Sequence, residues 1–151
     1  MRPLAVVAAS AVGVALTGTL SGCGSSALTA QRLETSISAT FANLYVLQQH
    51  RQGHPVPPVA RLASRATCTK GTPDLTQAGP GADWVCAVTF FVAGPRTPVT
   101  ALYTVDLRTD GCFFADGDGP VTLNGRRTVT GPGYRQVFNP LWRMEACFDA
   151  T

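Results

Sequence analysis

The placement of cysteine constrains this chain more than any other feature. Five cysteines, an odd number, stand at positions 23, 68, 86, 112 and 147. Cys23 differs in kind from the rest, because it directly follows an apolar run from Leu4 to Leu20. The other four are scattered through the remaining chain without a C-x-x-C pair, so neither a zinc cluster nor a redox dithiol is suggested. An even set of four behind an export-like leader points to two disulfides in an oxidising compartment.

The leader itself is specific. Arg2 is the only charge before the run, and Leu20-Ser21-Gly22-Cys23 closes it. A short basic end, an apolar stretch slightly short for a membrane span and small residues before a cysteine match the lipobox of bacterial lipoproteins. Ser21 and Gly22 fit the signal peptidase, and the Cys23 thiol is the nucleophile that takes diacylglycerol. Residues 1–22 are therefore read as a signal peptide and residues 23–30 as an acylated, flexible tether. Residues 31–151 are read as a single domain at the extracytoplasmic face of the cell membrane. Each buried acyl methylene contributes about 0.8 kcal/mol, so two or three chains hold where one would be marginal.

Periodicity supplies the fold class. Leu33, Ile37, Phe41, Leu44 and Tyr45 recur at helical spacing over residues 29–50, with Thr29 as cap and Gly53 and Pro55 as stops. The period then falls to two. Strands are expected over residues 59–69, over 84–92 (Trp84, Cys86, Val88, Phe90 and Val92 inward) and over 98–108. Asp110-Gly111 turns the chain into Cys112–Ala115, and Asn124-Gly125 is expected to join Val121–Leu123 to Arg127–Thr130. A last strand is expected over Leu141–Phe148, with Trp142, Met144, Ala146 and Phe148 inward. That phase leaves Cys147 on the outer side, unless a bulge intervenes. The result is an α+β domain, one amphipathic helix on an antiparallel, meander-like sheet. Fifteen Gly and eleven Pro residues suit so many turns. Four cysteines allow three connectivities, and the strand order favours Cys68–Cys86 with Cys112–Cys147. Loops of those lengths stabilise by about 3 and 4 kcal/mol in the chain-entropy model.

Several pieces of residues 59–149 resemble small exported proteins and lipoproteins of actinobacteria. The matching pieces are Cys68-Thr69-Lys70-Gly71 and Gly79-Pro80-Gly81-Ala82-Asp83-Trp84-Val85-Cys86. Asp110-Gly111, Ala115-Asp116-Gly117-Asp118-Gly119-Pro120, Asn124-Gly125 and Asn139-Pro140-Leu141-Trp142 follow in the same order. The resemblance implies an envelope location, and it carries over no activity and no catalytic residue.

Candidate chemistry is sparse. Asp116-Gly117-Asp118-Gly119 opens like a calcium loop, but Pro120, Val121 and Arg127 stand where a ligand, the turn glycine and the bidentate acid are needed. A plain turn is expected there. His50 and His54 are separated by the helix-ending Gly53 and read as a charged helix end. No G-x-S-x-G, S-x-x-K, H-E-x-x-H, phosphate loop or dinucleotide fingerprint occurs. Nine acids and two histidines leave little for acid–base chemistry, and neither a metal nor a cofactor is expected. A net charge of +3 does not call for nucleic acid.

The most usable surface lies in the second half. Arg126 and Arg127 follow the Asn-Gly pair, and Tyr134 and Arg135 sit in the loop Gly131–Arg135, with Trp142 and Arg143 further on. Arginine beside aromatic rings suits phosphate, carboxylate or sugar recognition. The functional expectation is a non-enzymatic binding or accessory module for an envelope component or membrane protein complex. A small cell-wall hydrolase and a purely structural surface lipoprotein are the alternatives. If the leader reading is right, Cys23→Ala moves the protein from the membrane fraction to the medium; unchanged membrane retention contradicts it.

Overall fold

The computed structural model describes residues 28–71, 76–92 and 97–148. Cys23, the expected signal peptide and most of the expected tether lie outside the described residues. The fold is already engaged at Leu28 and Thr29, before residue 31. Leu28 accepts a hydrogen bond from Gly79 N–H at 2.6 Å, and Thr29 bridges to Ala78.

A 3.6-residue apolar stripe must be covered, and here it organises the core. Helix α1 spans Ala30–Gln52, capped by the Thr29 hydroxyl, which accepts from Arg32 N–H at 3.4 Å. Gly53, at φ 73°, ends it in the left-handed conformation that glycine adopts without a Cβ penalty. Leu33, Ile37, Phe41 and Tyr45 are buried as the spacing predicts, whereas Leu44 is only partly buried. Phe41 and Tyr45 pack on Phe90, with ring centroids 4.8 and 4.9 Å away. The apolar pattern missed two buried side chains of α1, Ala42 and the polar Gln48, each 2% exposed.

Residues 59–69 are not one strand. Val59–Leu62 forms a helical turn, α2, behind the extended Pro-rich connector; it swings Leu62 fully into the core. Strand β1 starts only at Arg65 and runs to Lys70. Strands β2 (Gly81–Phe90), β3 (Val99–Leu107) and β4 (Cys112–Gly119) follow as an antiparallel meander. Strand β7 (Arg143–Cys147) pairs with β4, giving the order β1-β2-β3-β4-β7. Trp84, Cys86, Val88, Phe90, Ala101, Tyr103, Val105 and Leu107 alternate inward on β2 and β3. The backbone of α1 comes close to β1, β2 and β7, so the twisted sheet curls around the helix with an edge on each flank.

Both expected disulfides form, Cys68–Cys86 and Cys112–Cys147. Each joins residues directly opposite one another, across β1–β2 and β4–β7, so each ties an edge strand to its neighbour. The phase of the last strand is also settled. Met144 is fully buried while Arg143, Glu145 and Cys147 face outward, so no bulge is needed and the second bridge lies off the core face. Trp142 and Phe148 are only partly buried, and Leu141, expected outside, is fully buried.

The segment between β4 and β7 departs most from expectation. Residues 116–119 are not a turn; they continue β4, with Asp116 opposite Arg143 and Gly117 opposite Tyr103. A Cβ on Gly117 would lie 2.3 Å from the Asn124 carbonyl oxygen, so only glycine allows that approach. The Gly119–Pro120 peptide is cis, and residues 121–124 form turns rather than a strand. The observed hairpin joins β5 (Thr128–Thr130) to β6 (Gln136–Phe138) through a 3-10 turn at Pro132–Tyr134.

Buried amides hold this segment. Asn139 is fully buried; its Nδ2 donates to the Leu123 and Arg126 carbonyls at 2.9 Å each. Its Oδ1 accepts from Gln48 Nε2 at 2.8 Å and from Leu141 N–H at 3.0 Å. Gln48 Nε2 also donates to Leu123 O at 2.7 Å, and buried Asn124 donates to Leu102 O at 2.7 Å. Removing one partner leaves desolvated groups unsatisfied at about 1–3 kcal/mol each. Asn139→Ala is therefore expected to destabilise the domain by about 3 kcal/mol in chemical denaturation; wild-type stability contradicts this role.

Candidate functional site

The sequence motifs resolve mostly into structure. In Cys68-Thr69-Lys70-Gly71, the Lys70 ammonium donates to the Ala78 and Pro80 carbonyls at 3.2 and 2.7 Å and lies 5.9 Å from the Trp84 ring centre. Trp84, fully buried, donates its indole N–H to Gly79 O at 3.2 Å. Asp116 binds Arg143 in a two-pronged pair at 2.5 and 3.0 Å, and Asp118 accepts from the Thr104 hydroxyl. Asp110 caps its turn by accepting from Cys112 N–H and pairs with Arg108. Glu34, in the early turns of α1, accepts from Cys68 N–H at 2.9 Å. These acids are therefore engaged in local architecture. Among the described residues, no three His, Cys, Asp or Glu side chains are grouped to hold a metal ion. None of the described helices is long and apolar enough to cross a membrane.

The histidines sit at the C-terminal end of α1, His54 within 3.1 Å of the Gln49 amide oxygen. Tyr45 and Tyr103 are the phenols whose ionisation burial pushes above its ordinary range. Tyr103 uses its proton structurally, donating to Leu141 O at 3.1 Å.

The four candidate binding residues divide into two groups. Arg126 borders a shallow depression of about 280 Å³ with Gln52, Thr122, Thr130 and Gln136. Tyr134 and Arg135 project at the tip of the β5–β6 hairpin, beside Thr130 and Gln136. Arg127 points elsewhere: its guanidinium lies 5.7 Å from the Trp142 ring centre, with that of Arg143 at 5.5 Å from the same ring. The Asp116 hydrogen bonds hold Arg143 protonated above its ordinary value. Sequence reasoning missed Arg51, whose Nη1 donates to Phe138 O at 3.0 Å while its guanidinium lies over the Phe138 ring. Nothing in the local sequence announces that contact, because it depends on the hairpin packing against the helix end.

That packing is close. A Cβ on Gly53 would meet Pro132 at 2.9 Å, and one on Gly131 would meet the Arg51 carbonyl oxygen at 2.9 Å. From Asp118 to Glu145 the chain carries no acid between them, and three of its four arginines there, Arg126, Arg127 and Arg135, have no carboxylate partner among the described residues. The hairpin is thus a cationic projection mounted on the helix C-terminus. A scan against protein-family models and searches of curated proteins and solved structures return no match to this chain.

Tyr134 has the least structural justification of any residue in the group. It is 91% exposed and adopts φ 61°, a left-handed conformation that L side chains populate at about 1–2 kcal/mol. Neighbouring Gly133, at φ 67°, shows what the turn itself prefers. Tyr134→Gly is expected to raise unfolding free energy by about 0.5–1 kcal/mol, the strain relief less the entropy glycine loses. A fall in stability would mean that Tyr134 serves packing instead.

Proposed function

We propose that this chain is a lipid-anchored, non-enzymatic binding module of the cell envelope, held in the membrane through Cys23. Its recognition surface is the β5–β6 hairpin tip with Tyr134 and Arg135, continued by Arg126 in the adjoining depression. The observation that carries the reading is the exposed Tyr134 in a left-handed backbone conformation, next to Arg135, which has no carboxylate partner among the described residues. Guanidinium groups beside an aromatic face suit an anionic, carbohydrate-bearing ligand: the ring stacks on sugar while the arginines take phosphate or carboxylate. The resemblance of residues 59–149 to exported actinobacterial proteins fits this placement.

The helix supports a direction for the surface. α1 begins at the tether and ends under the hairpin, and its 23 residues at about 1.5 Å each put roughly 34 Å between them. With the acyl chains at the near end, the hairpin is carried away from the headgroups toward the wall. An anionic wall polymer therefore suits the surface better than the lipids of the same bilayer.

Changing Tyr134 and Arg135 together to Ala is expected to weaken binding to purified anionic wall polymer about tenfold without lowering the melting temperature. Binding by the unaltered protein is expected to fall as salt rises. Equal binding by the double variant, or preference for anionic phospholipid vesicles over the polymer, contradicts the reading.

A further inference from the structure

β1 and β7 are the two edges of the five-stranded sheet, and the fold treats them differently. In an antiparallel strand, alternate residues turn their N–H and C=O groups away from the paired neighbour. On β1 the outward N–H groups belong to Ala66, Cys68 and Lys70, and all three are capped. Ser38 Oγ accepts from Ala66 at 2.7 Å, Glu34 Oε1 from Cys68 at 2.9 Å, and Gln77 Oε1 from Lys70 at 2.7 Å. Helix and loop side chains thus close this edge to any further strand.

On β7 the hydrogen bonds from Phe148 N–H to Gly111 O and from Gly117 N–H to Trp142 O set the phase. Arg143, Glu145 and Cys147 accordingly turn their backbone groups outward, and no described residue meets them. The same edge borders an open trough of about 510 Å³ whose far wall is α1, with Gln31 and Arg32 at its N-terminal end and Thr35, Ser36, Ala39, Thr40 and Asn43 beyond them. Arg32 extends over the Phe148 ring, just past the end of β7, at 5.3 Å from its centre. The shorter side chains beyond it make no hydrogen bond to the described strand; Thr35, for one, turns back to the Gln31 carbonyl at 2.9 Å.

We propose that β7 pairs with β7 of a second copy about a two-fold axis, continuing the sheet across both subunits. The strand's own charges select this occupant and its register. Pairing centred on Met144 sets Arg143 of each copy opposite Glu145 of the other, two attractive cross-strand pairs on the exposed face. Each of these residue pairs exchanges two main-chain hydrogen bonds. Pairing centred on Glu145 would oppose two carboxylates, and pairing centred on Ala146 would set Glu145 against Cys147 and gain no charge pair within the strand. The short side chains of α1 leave room for the two helices to approach above the join.

The test is sedimentation equilibrium of the secreted Cys23→Ala chain over a concentration series. The unaltered strand is expected to give a reversible dimer. Glu145→Arg and Arg143→Glu are each expected to weaken it about tenfold or more by setting like charges opposite one another. Mixed in equal amounts, the two variants are expected to recover the dimer as a heterodimer, because one strand is then doubly basic and the other doubly acidic. Retained thermal transitions certify folding; should Arg143→Glu not fold beside Asp116, the Arg143→Glu/Asp116→Asn variant replaces it. A monomer at every concentration overturns the proposal, including one that instead takes up an extended peptide at β7. A dimer indifferent to Glu145→Arg, or a mixture that stays monomeric, overturns it as well.

Discussion

The buried amide of Asn139 is the interaction on which the second half of the domain depends. It accepts from α1 through Gln48 and donates to the Leu123 and Arg126 carbonyls, so one side chain joins helix, turn and hairpin. A segment that crosses from β4 to β7 with only a three-residue strand pair of its own depends on such side-chain bonds, with those of Asn124 to Leu102 O and Arg51 to Phe138 O beside them. Desolvated carbonyls must find donors, and here side-chain amides supply what a longer ladder would have supplied. The cationic hairpin is therefore presented from a rigid base, although its tip is exposed.

A second organising constraint acts at the sheet edges. Each disulfide fastens an edge strand to its inner neighbour, one beneath the core and one on the outer face. Covalent fastening fixes strand register where hydrogen bonding is one-sided. Among the described residues, the outward N–H groups of β1 are met by side chains from α1 and the Gln77 loop, and those of β7 are not. The asymmetry follows from what α1 offers each edge: Glu34 and Ser38 accept from the outward N–H groups of β1, while on the β7 flank Arg32 lies over the Phe148 ring and the helix continues with threonine, serine, alanine and asparagine.

The helix, the three long strands and the disulfide pairing were legible because burial imposes a period there. Leu33, Ile37 and Phe41 declare one face of α1, and alternation from Trp84 to Phe90 and from Ala101 to Leu107 declares the sheet. Legibility fails where a polar residue does the work of a core residue. Gln48 and Asn139 look solvated in sequence, yet both are buried for their hydrogen bonds. Asn124-Gly125 carries the chemistry of a two-residue hairpin, but burial of Asn124 against Leu102 pulls the pair into a different turn. The true hairpin forms at Gly131–Arg135, where glycines at two of the five positions accept the geometry. Val59–Leu62 resembles the start of a strand in sequence because four residues cannot distinguish a single helical turn from an extended run. Of the candidate surface, Tyr134, Arg135 and Arg126 adjoin the same hairpin, whereas Arg127 is drawn to Trp142, a contact that only the tertiary fold specifies.

The proposed recognition surface is an exposed, strained aromatic with Arg135 and Arg126 beside it, carried on a base held by buried amide hydrogen bonds. The most direct test is a two-dimensional nitrogen–proton NMR titration of the chain without its first 27 residues with soluble anionic wall polymer. The account predicts saturable shifts concentrated in the amides of residues 126–138 and at the C-terminal turn of α1, with the β1 edge unmoved. Shifts centred elsewhere, or none at polymer concentrations that saturate the membrane-bound protein, would contradict it.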